Sequence, residues 1–165
     1  LFHTPFSIVG NLPYNISSQI FFRIIENRAL VQQAVCMIQK EVAERISTPF
    51  GNKTYGILSV FLQTFYDIEY LFTVGEKVFD PPPKVKSAVI RLTRNKREDL
   101  GCSEKLFFNI VKNGFNQRRK TLRNSIRSLL PPGFDSDYLN MRPEQLNIPD
   151  FIQLCQEIEK EGKTS

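Results

Sequence analysis

Asn11-Leu12-Pro13-Tyr14 joins residue types that can hold an exocyclic amine for chemistry. Asn11 offers a side-chain carbonyl acceptor, and Leu12 a backbone carbonyl that the following proline directs into an extended or turn geometry. Pro13 stiffens the turn, and Tyr14 presents a flat aromatic face on which a nucleobase can stack. An Asn-x-Pro run beside a tyrosine is also a common turn with a packing neighbour, so the tetrapeptide alone leaves both readings open. The preceding Phe6-Ser7-Ile8-Val9-Gly10 reads as a short buried strand closed by glycine, which puts the four residues at a strand's carboxyl end. In open α/β sheets, ligands bind there.

A second group is Phe79-x-Pro81-Pro82-Pro83-x-Val85-x-Ser87-x-Val89. Three consecutive prolines preset φ and leave the loop little entropy to lose. A phenylalanine at the mouth of such a loop can be a fixed stacking partner; equally, Phe79 can cap the core while the prolines blunt an edge strand. A third group is basic and runs from Gln117 to Arg127 through Arg118, Arg119, Lys120 and Arg123. On a helix, Arg119, Arg123 and Arg127 share one face, and Leu122, Ile126 and Leu129 lie on another at the spacing of a buried stripe. Charge runs are most often solvated faces, yet this one lacks interspersed acids, which favours phosphate binding. Gln39-Lys40-Glu41-Val42-Ala43-Glu44-Arg45 contains an i, i+4 Glu41–Arg45 ion pair that a structural role explains. A part in the wall of the substrate side is the secondary reading.

Composition narrows the chemistry. The 165 residues are 41% hydrophobic and 24% charged, as in soluble globular proteins. No apolar run approaches the ~20 residues needed to cross a bilayer. The net charge is +5, but its distribution is uneven. Residues 91–127 hold 11 basic and 3 acidic side chains, while residues 128–165 hold 3 and 7. Such a local basic excess points to a polyanion, most simply nucleic acid. Cys36, Cys102 and Cys155 are widely spaced and form no Cys-x-x-Cys pair, so neither a disulfide framework nor a metal site is indicated, and a reducing cytoplasm is expected. With His3 the one histidine, His-based metal binding and catalytic triads are disfavoured. The chain opens Leu-Phe-His-Thr-Pro, without initiator methionine or a basic leader, so a fragment or processed chain is expected.

The elements that position these groups follow from periodicity. Ser17 to Glu26 predicts a helix with serine caps, Gln33 to Ile38 a buried strand, Lys40 to Ser47 a helix, and Tyr55 to Phe65 another helix. Asp67–Val74 and Val85–Leu92 predict two strands, with the proline-rich 79–84 loop between them. Asn95-Lys96-Arg97-Glu98-Asp99 reads as a linker. Beyond it, helices are expected over 103–115, 118–129 and 149–161, with a Pro-Pro-Gly break at 131–133. The reading is an α/β domain over 1–94 followed by a small all-helical domain over 95–165.

In this order, Asn-Leu-Pro-Tyr after a strand, Gln-Lys-Glu-Val-Ala-Glu-Arg, Phe-Asp-Pro-Pro-Pro-Lys-Val-Lys-Ser and Asn-Gln-Arg-Arg-Lys-Thr-Leu-Arg-Asn closely resemble the rRNA adenine dimethyltransferases of the KsgA type. The resemblance covers nearly the whole chain, and the Arg-Arg-Lys-Thr-Leu-Arg segment is more similar to the ribosome-assembly branch than to the antibiotic-resistance branch. It implies the C-terminal part of a Rossmann-like methyltransferase sheet that uses S-adenosylmethionine. It also implies dimethylation of two adjacent adenines in a hairpin loop near the 3′ end of small-subunit rRNA, with the immature small ribosomal subunit as partner. Asn11 and the Leu12 carbonyl would then accept from the adenine amine, and Tyr14 and Phe79 would sandwich the base. Asn11 would be the one cofactor contact, and Arg118, Arg119, Lys120, Arg123 and Arg127 would grip RNA. The family's glycine-rich loop and the acidic residue ending its second strand have no counterpart here, so the chain resembles the carboxyl-terminal two-thirds of the enzyme. The alternatives are an RNA-binding or ribosome-assembly module without catalysis, and an rRNA adenine methyltransferase of the antibiotic-resistance type. The oligomeric state is left open, with edge pairing of the sheet one route to a dimer.

Overall fold

The computed structural model describes residues 3–164, which divide into two compact units. One comprises the residues up to Thr48 together with Phe61–Lys96; the other comprises Pro49–Val60 together with Arg97 onward. The late boundary thus falls at Lys96/Arg97, against the expected 94/95. The segment 49–60, which hydropathy alone assigns to the α/β part, packs with the helical unit through contacts such as Gly51 N–H to the Glu144 carbonyl at 2.6 Å.

The first unit is built on a four-stranded mixed sheet of order β1-β2-β4-β3, formed by β1 (Phe6–Asn11), β2 (Val31–Gln39), β3 (Tyr66–Val74) and β4 (Ser87–Arg94). β1 and β2 are parallel, and β4 enters antiparallel between β2 and β3. Ala34, Cys36 and Ile38 of β2 and Ala88, Ile90 and Leu92 of β4 are buried at every second position, the alternation that fixes strand register against a core. Helix α1 (Ser17–Glu26) covers this core with Phe21, Ile24 and Ile25. The predicted serine caps are not used: Ile16 holds the N-cap position, and the Ser17 hydroxyl donates instead to the Tyr14 carbonyl at 3.4 Å. Helix α2 (Lys40–Ser47) buries Ala43 and Ile46 and carries the expected Arg45–Glu41 pair at 3.0 Å. Helix α3 (Ile57–Phe65) contains the division between the units after Val60.

Two cations of the basic stretch 91–127 hold this unit together. Arg91 of β4 makes two hydrogen bonds, at 2.8 and 2.9 Å, to the carboxylate of Glu69, its cross-strand partner in β3. That pairing holds the Glu69 carboxyl below its ordinary range. Arg94 donates to the Phe65 carbonyl at 2.6 Å, and its guanidinium lies 5.6 Å from the Phe65 ring centroid. Part of the excess of positive charge after residue 90 is therefore internal to the sheet.

In the second unit α4 (Glu104–Asn116) begins at Ser103, whose hydroxyl accepts from Leu106 N–H at 3.3 Å, and it buries Phe107, Ile110 and Val111. Gly114 lies inside this helix because a Cβ there would meet the Leu122 side chain at 3.0 Å and Pro143 at 3.3 Å. The predicted helix over 118–129 does not form as one rod. Residues 117–120 turn, Thr121 is extended at φ −67, ψ 158, and a single helical turn α5 (Leu122–Ser125) gives way to a 3-10 turn at Arg127–Leu129. Leu122 N–H donates to the Met141 carbonyl at 2.8 Å, a distant partner that takes the bond a continuous helix would have used. Leu122 and Ile126 are still fully buried, so the apolar stripe is real while the helix that periodicity implies is not. Helix α6 (Ile148–Thr164) starts with a reciprocal cap, in which Asp150 N–H donates to the Asn147 side chain at 2.8 Å and Asn147 N–H to the Asp150 carboxylate at 3.0 Å.

Tyr66 ties the start of β3 to the start of β2 by donating its hydroxyl to the Val31 carbonyl at 2.9 Å, and burial pushes its pKa up to about 12. An ordinary tyrosine ionises near 10, so the folded state holds this proton more tightly than the unfolded chain does. The resulting stability is complete below about pH 10 and is lost as pH rises toward about 12. Denaturant titrations across that window should show stability falling with pH. Tyr66→Phe should flatten the fall while costing about 1 kcal/mol at neutral pH.

Candidate functional site

β1 delivers Asn11 as its last residue, paired in register with Met37 of β2. The chain then leaves the sheet under restraint: Leu12 N–H donates to the Met37 carbonyl at 3.0 Å, and Ile16 N–H closes the turn on the Pro13 carbonyl at 3.3 Å. The Leu12 side chain is buried, which fixes the peptide that carries its carbonyl. The Asn11-to-Tyr14 turn is thus held by backbone bonds on both sides of Pro13.

The proline-rich loop approaches from the other side. Glu76–Val78 forms a 3-10 turn, Phe79 is extended at φ −106, ψ 151, and the Asp80–Pro81 peptide is cis. After the loop Ser87 opens β4 beside Gln39 of β2. Asn11, Leu12, Pro13 and Tyr14 on one side and Phe79, Pro81 and Pro83 on the other line a single cleft of about 350 Å³. That lies at the small end of the ~300–1,000 Å³ range of ligand sites. The Tyr14 and Ser87 hydroxyls share a hydrogen bond that ties the turn to the start of β4.

The five residues singled out for chemistry in the sequence, Asn11, Leu12, Pro13, Tyr14 and Phe79, are all brought to this one cleft. Three contributors escaped that reading. Pro81 and Pro83 line the cleft rather than only stiffening the loop, and Ser87 contacts Tyr14 across 73 residues of sequence. A serine opening a strand among buried positions was the available signal, because a buried hydroxyl needs a partner.

The cleft is electrically plain. Among its lining residues none carries a charge at neutral pH, and its polarity comes from Asn11, the backbone and the Tyr14 phenol. No cysteine takes part: burial pushes the Cys36 thiol up to about 11 and raises Cys102 and Cys155 as well, so all three stay protonated at neutral pH. Among the described residues no group of three His, Cys, Asp or Glu side chains is placed to hold a metal ion. Among the described residues no helix is long and apolar enough to cross a membrane. What the cleft offers is two aromatic side chains, prolines and the Asn11 amide in one lining.

The basic segment sorts into two kinds of residue. Arg118 is half-buried, donates to the Tyr55 carbonyl at 2.6 Å and lies 5.6 Å over the Phe115 ring. Arg123 is paired with Asp135 at 2.6 Å. Arg119, Lys120 and Arg127 are exposed and make no ion pair among the described residues. The expected face of Arg119, Arg123 and Arg127 on one helix is therefore replaced by a turn and two short helical pieces, with Arg123 drawn to an acid.

The sheet, with its last strand inserted antiparallel, belongs to the α/β methyltransferase class. It superposes on a dimethyladenosine transferase from Plasmodium falciparum with TM-score 0.84 at 28% identity, covering 98% of this chain and 70% of that one. It also shares the fold of the 23S rRNA methyltransferase ErmE, with TM-score 0.64 at 23% identity over 96% of this chain and 67% of that one. Residues 2–160 match the family model described as ribosomal RNA adenine dimethylase, and the chain belongs to that family. It is 58% identical over 164 residues to ribosomal RNA small subunit methyltransferase A of Bacteroides thetaiotaomicron, covering 98% of this chain and 61% of the relative. The corresponding protein of Flavobacterium johnsoniae is 57% identical over 162 residues, covering 97% of this chain and 62% of its own length. The chain thus spans about three-fifths of these curated relatives.

The sorting of the basic segment has a direct stability consequence. Arg118→Ala should cost about 1–3 kcal/mol by leaving the Tyr55 carbonyl without its charged donor. Arg119→Ala should stay within about 0.5 kcal/mol of the parent in denaturant unfolding.

Proposed function

We propose that this chain forms the substrate side of an rRNA adenine N6,N6-dimethyltransferase. In an enzyme of its relatives' length it would act in the cytoplasm on two adjacent adenines of a hairpin loop near the 3′ end of small-subunit rRNA, in the immature subunit. The observation that carries the reading is the single uncharged cleft shared by Asn11-Leu12-Pro13-Tyr14 and Phe79. Family membership over residues 2–160 supports it.

The chemistry needs little from the protein beyond placement. An adenine amine is a poor nucleophile because its lone pair is delocalised into the ring. The Asn11 side-chain carbonyl and the Leu12 carbonyl each accept one amine hydrogen, so the lone pair is turned out of the ring plane toward an approaching electrophile. The cationic product is acidic enough to lose its proton to water, which agrees with a lining that has no carboxylate or imidazole. To reach the cleft the base must leave its stack. Sandwiching between Tyr14 and Phe79 is worth ~1–3 kcal/mol, comparable with the cost of unstacking a loop adenine.

Members of this family take their methyl group from S-adenosylmethionine. The residues present here do not by themselves fit it: the cleft lining has no glycine-rich turn and no carboxylate, and Asn11 is the one candidate contact at the exposed end of β1. The second unit supplies Arg119, Lys120 and Arg127 as exposed cations for phosphate. Arg118 and Arg123 act first as structural residues.

When this chain is joined to the amino-terminal part of the Bacteroides relative, Asn11→Ala should abolish methyl transfer to immature small subunits while leaving RNA affinity within about twofold, since one acceptor is lost but no phosphate contact. Unimpaired transfer by that variant would contradict the reading. Replacing Arg119, Lys120 and Arg127 together by alanine should reduce the slope of log affinity against log salt by about 2–3, near 0.7–0.9 per phosphate contact removed.

A further inference from the structure

The cleft depends on a contact to which the proposed reaction assigns no role. Ser87 is 1% exposed, yet its hydroxyl is not spent on the backbone. It meets the Tyr14 phenol instead. Its own main chain is fixed, because β4 is an inner strand and Ser87 is paired with Gln39 on one side and Val74 on the other. At the opposite end of Tyr14, the carbonyl accepts from the buried Ser17 hydroxyl at 3.4 Å. A tyrosine ring turns about χ1 and χ2. The phenol oxygen lies on the χ2 axis, so tethering it to a rigid strand restricts χ1 and fixes where the ring stands in the cleft.

We infer that Ser87 is a positioning residue for base recognition: through its hydrogen bond to Tyr14 it holds the ring in its place in the cleft that Phe79 also lines. The inference rests on the reading of the cleft as an adenine site. Ser87 contributes nothing to phosphate binding and does not touch the base. Its effect is confined to the part of the affinity that comes from the base itself. Loss of the hydroxyl frees the ring to swing about χ1 and leaves the phenol without its partner, and the site loses its preorganisation.

The test uses this chain and two RNA hairpins that differ at one loop position, one carrying adenine and the other an abasic site. The ratio of the two dissociation constants isolates base recognition from backbone grip. For the parent chain adenine should be preferred by about tenfold or more, from the stacking contribution. Ser87→Ala should lower that preference by about 3- to 10-fold, the size of one hydrogen bond. Affinity for the abasic hairpin should not change. Tyr14→Phe, which keeps the ring but removes the tether, should produce the same loss, and the double variant no more than either alone. Ser87→Thr, which keeps a hydroxyl, should restore the preference wherever its circular dichroism and melting curve match the parent.

A folded Ser87→Ala variant with undiminished preference would overturn the assignment. So would a double variant whose losses multiply, or a Ser87→Ala variant that weakens both hairpins equally, since the serine would then act on structure in general. Tyr14→Ala with Phe79→Ala separates the two levels. If that pair leaves the adenine preference intact, the cleft is not the base site and both readings fall. If it removes the preference while Ser87→Ala does not, the assignment of Ser87 falls alone.

Discussion

The antiparallel entry of β4 between β2 and β3 is the constraint on which the site depends. Because β4 runs against β1 and β2, its first residues lie at the carboxyl ends of those two strands. Along β2, Met37 opposes Asn11 and Gln39 opposes Ser87. Those positions are two residues apart, ~7 Å at strand rise. The end of one strand and the start of another are thereby set side by side although 76 residues of sequence separate Asn11 from Ser87. A parallel β4 would have carried the proline-rich loop to the far edge of the sheet. The buried alternation of β2 and β4 holds this register, since a slip of one residue would turn Ala88, Ile90 and Leu92 out of the core.

What that register assembles suits a reaction in which orientation matters more than acid or base strength. The cleft joins rings, prolines and uncharged acceptors, and the protein's titratable groups are used elsewhere. Arg91 and Glu69 brace neighbouring strands, Arg94 holds the end of α3, and the cysteines stay protonated by burial. On the proposed reading, the two units divide the work by physical type. The first holds a base by shape and hydrogen bonds. The second offers exposed cations to a phosphate backbone, with an affinity that salt weakens.

Much of this was legible in the sequence because the residues concerned have strong local consequences. Proline in the 79–84 loop excludes a central strand, apolar alternation marks β2 and β4, and Asn-Leu-Pro-Tyr after an apolar run reads as a strand end. The elements that escaped are those decided by distant partners. Arg118 to Leu129 has helical spacing, but the Met141 carbonyl takes Leu122 N–H, and the Arg118 guanidinium takes the Tyr55 carbonyl. Periodicity cannot register either competitor. The start of α1 at Ser17 was legible, but its cap was not: the Ser17 hydroxyl, a good cap by type, donates to the Tyr14 carbonyl, and Ile16 holds the N-cap position. Segment 49–60 carries no local mark of the unit it joins. Ser87 was visible as a letter in a motif, but its role is legible only once β4 is set beside β2.

The central claim is that the end of β1 grips an adenine amine through two acceptors. Nuclear magnetic resonance of an RNA hairpin labelled with nitrogen-15 at the N6 of the loop adenine, bound to this chain, tests it most directly. The account predicts two separate, slowly exchanging amine proton signals in the complex, each hydrogen bonded, with rotation about the carbon–nitrogen bond arrested. A single averaged amine signal at the free hairpin's position, under conditions where the RNA is fully bound, would contradict it.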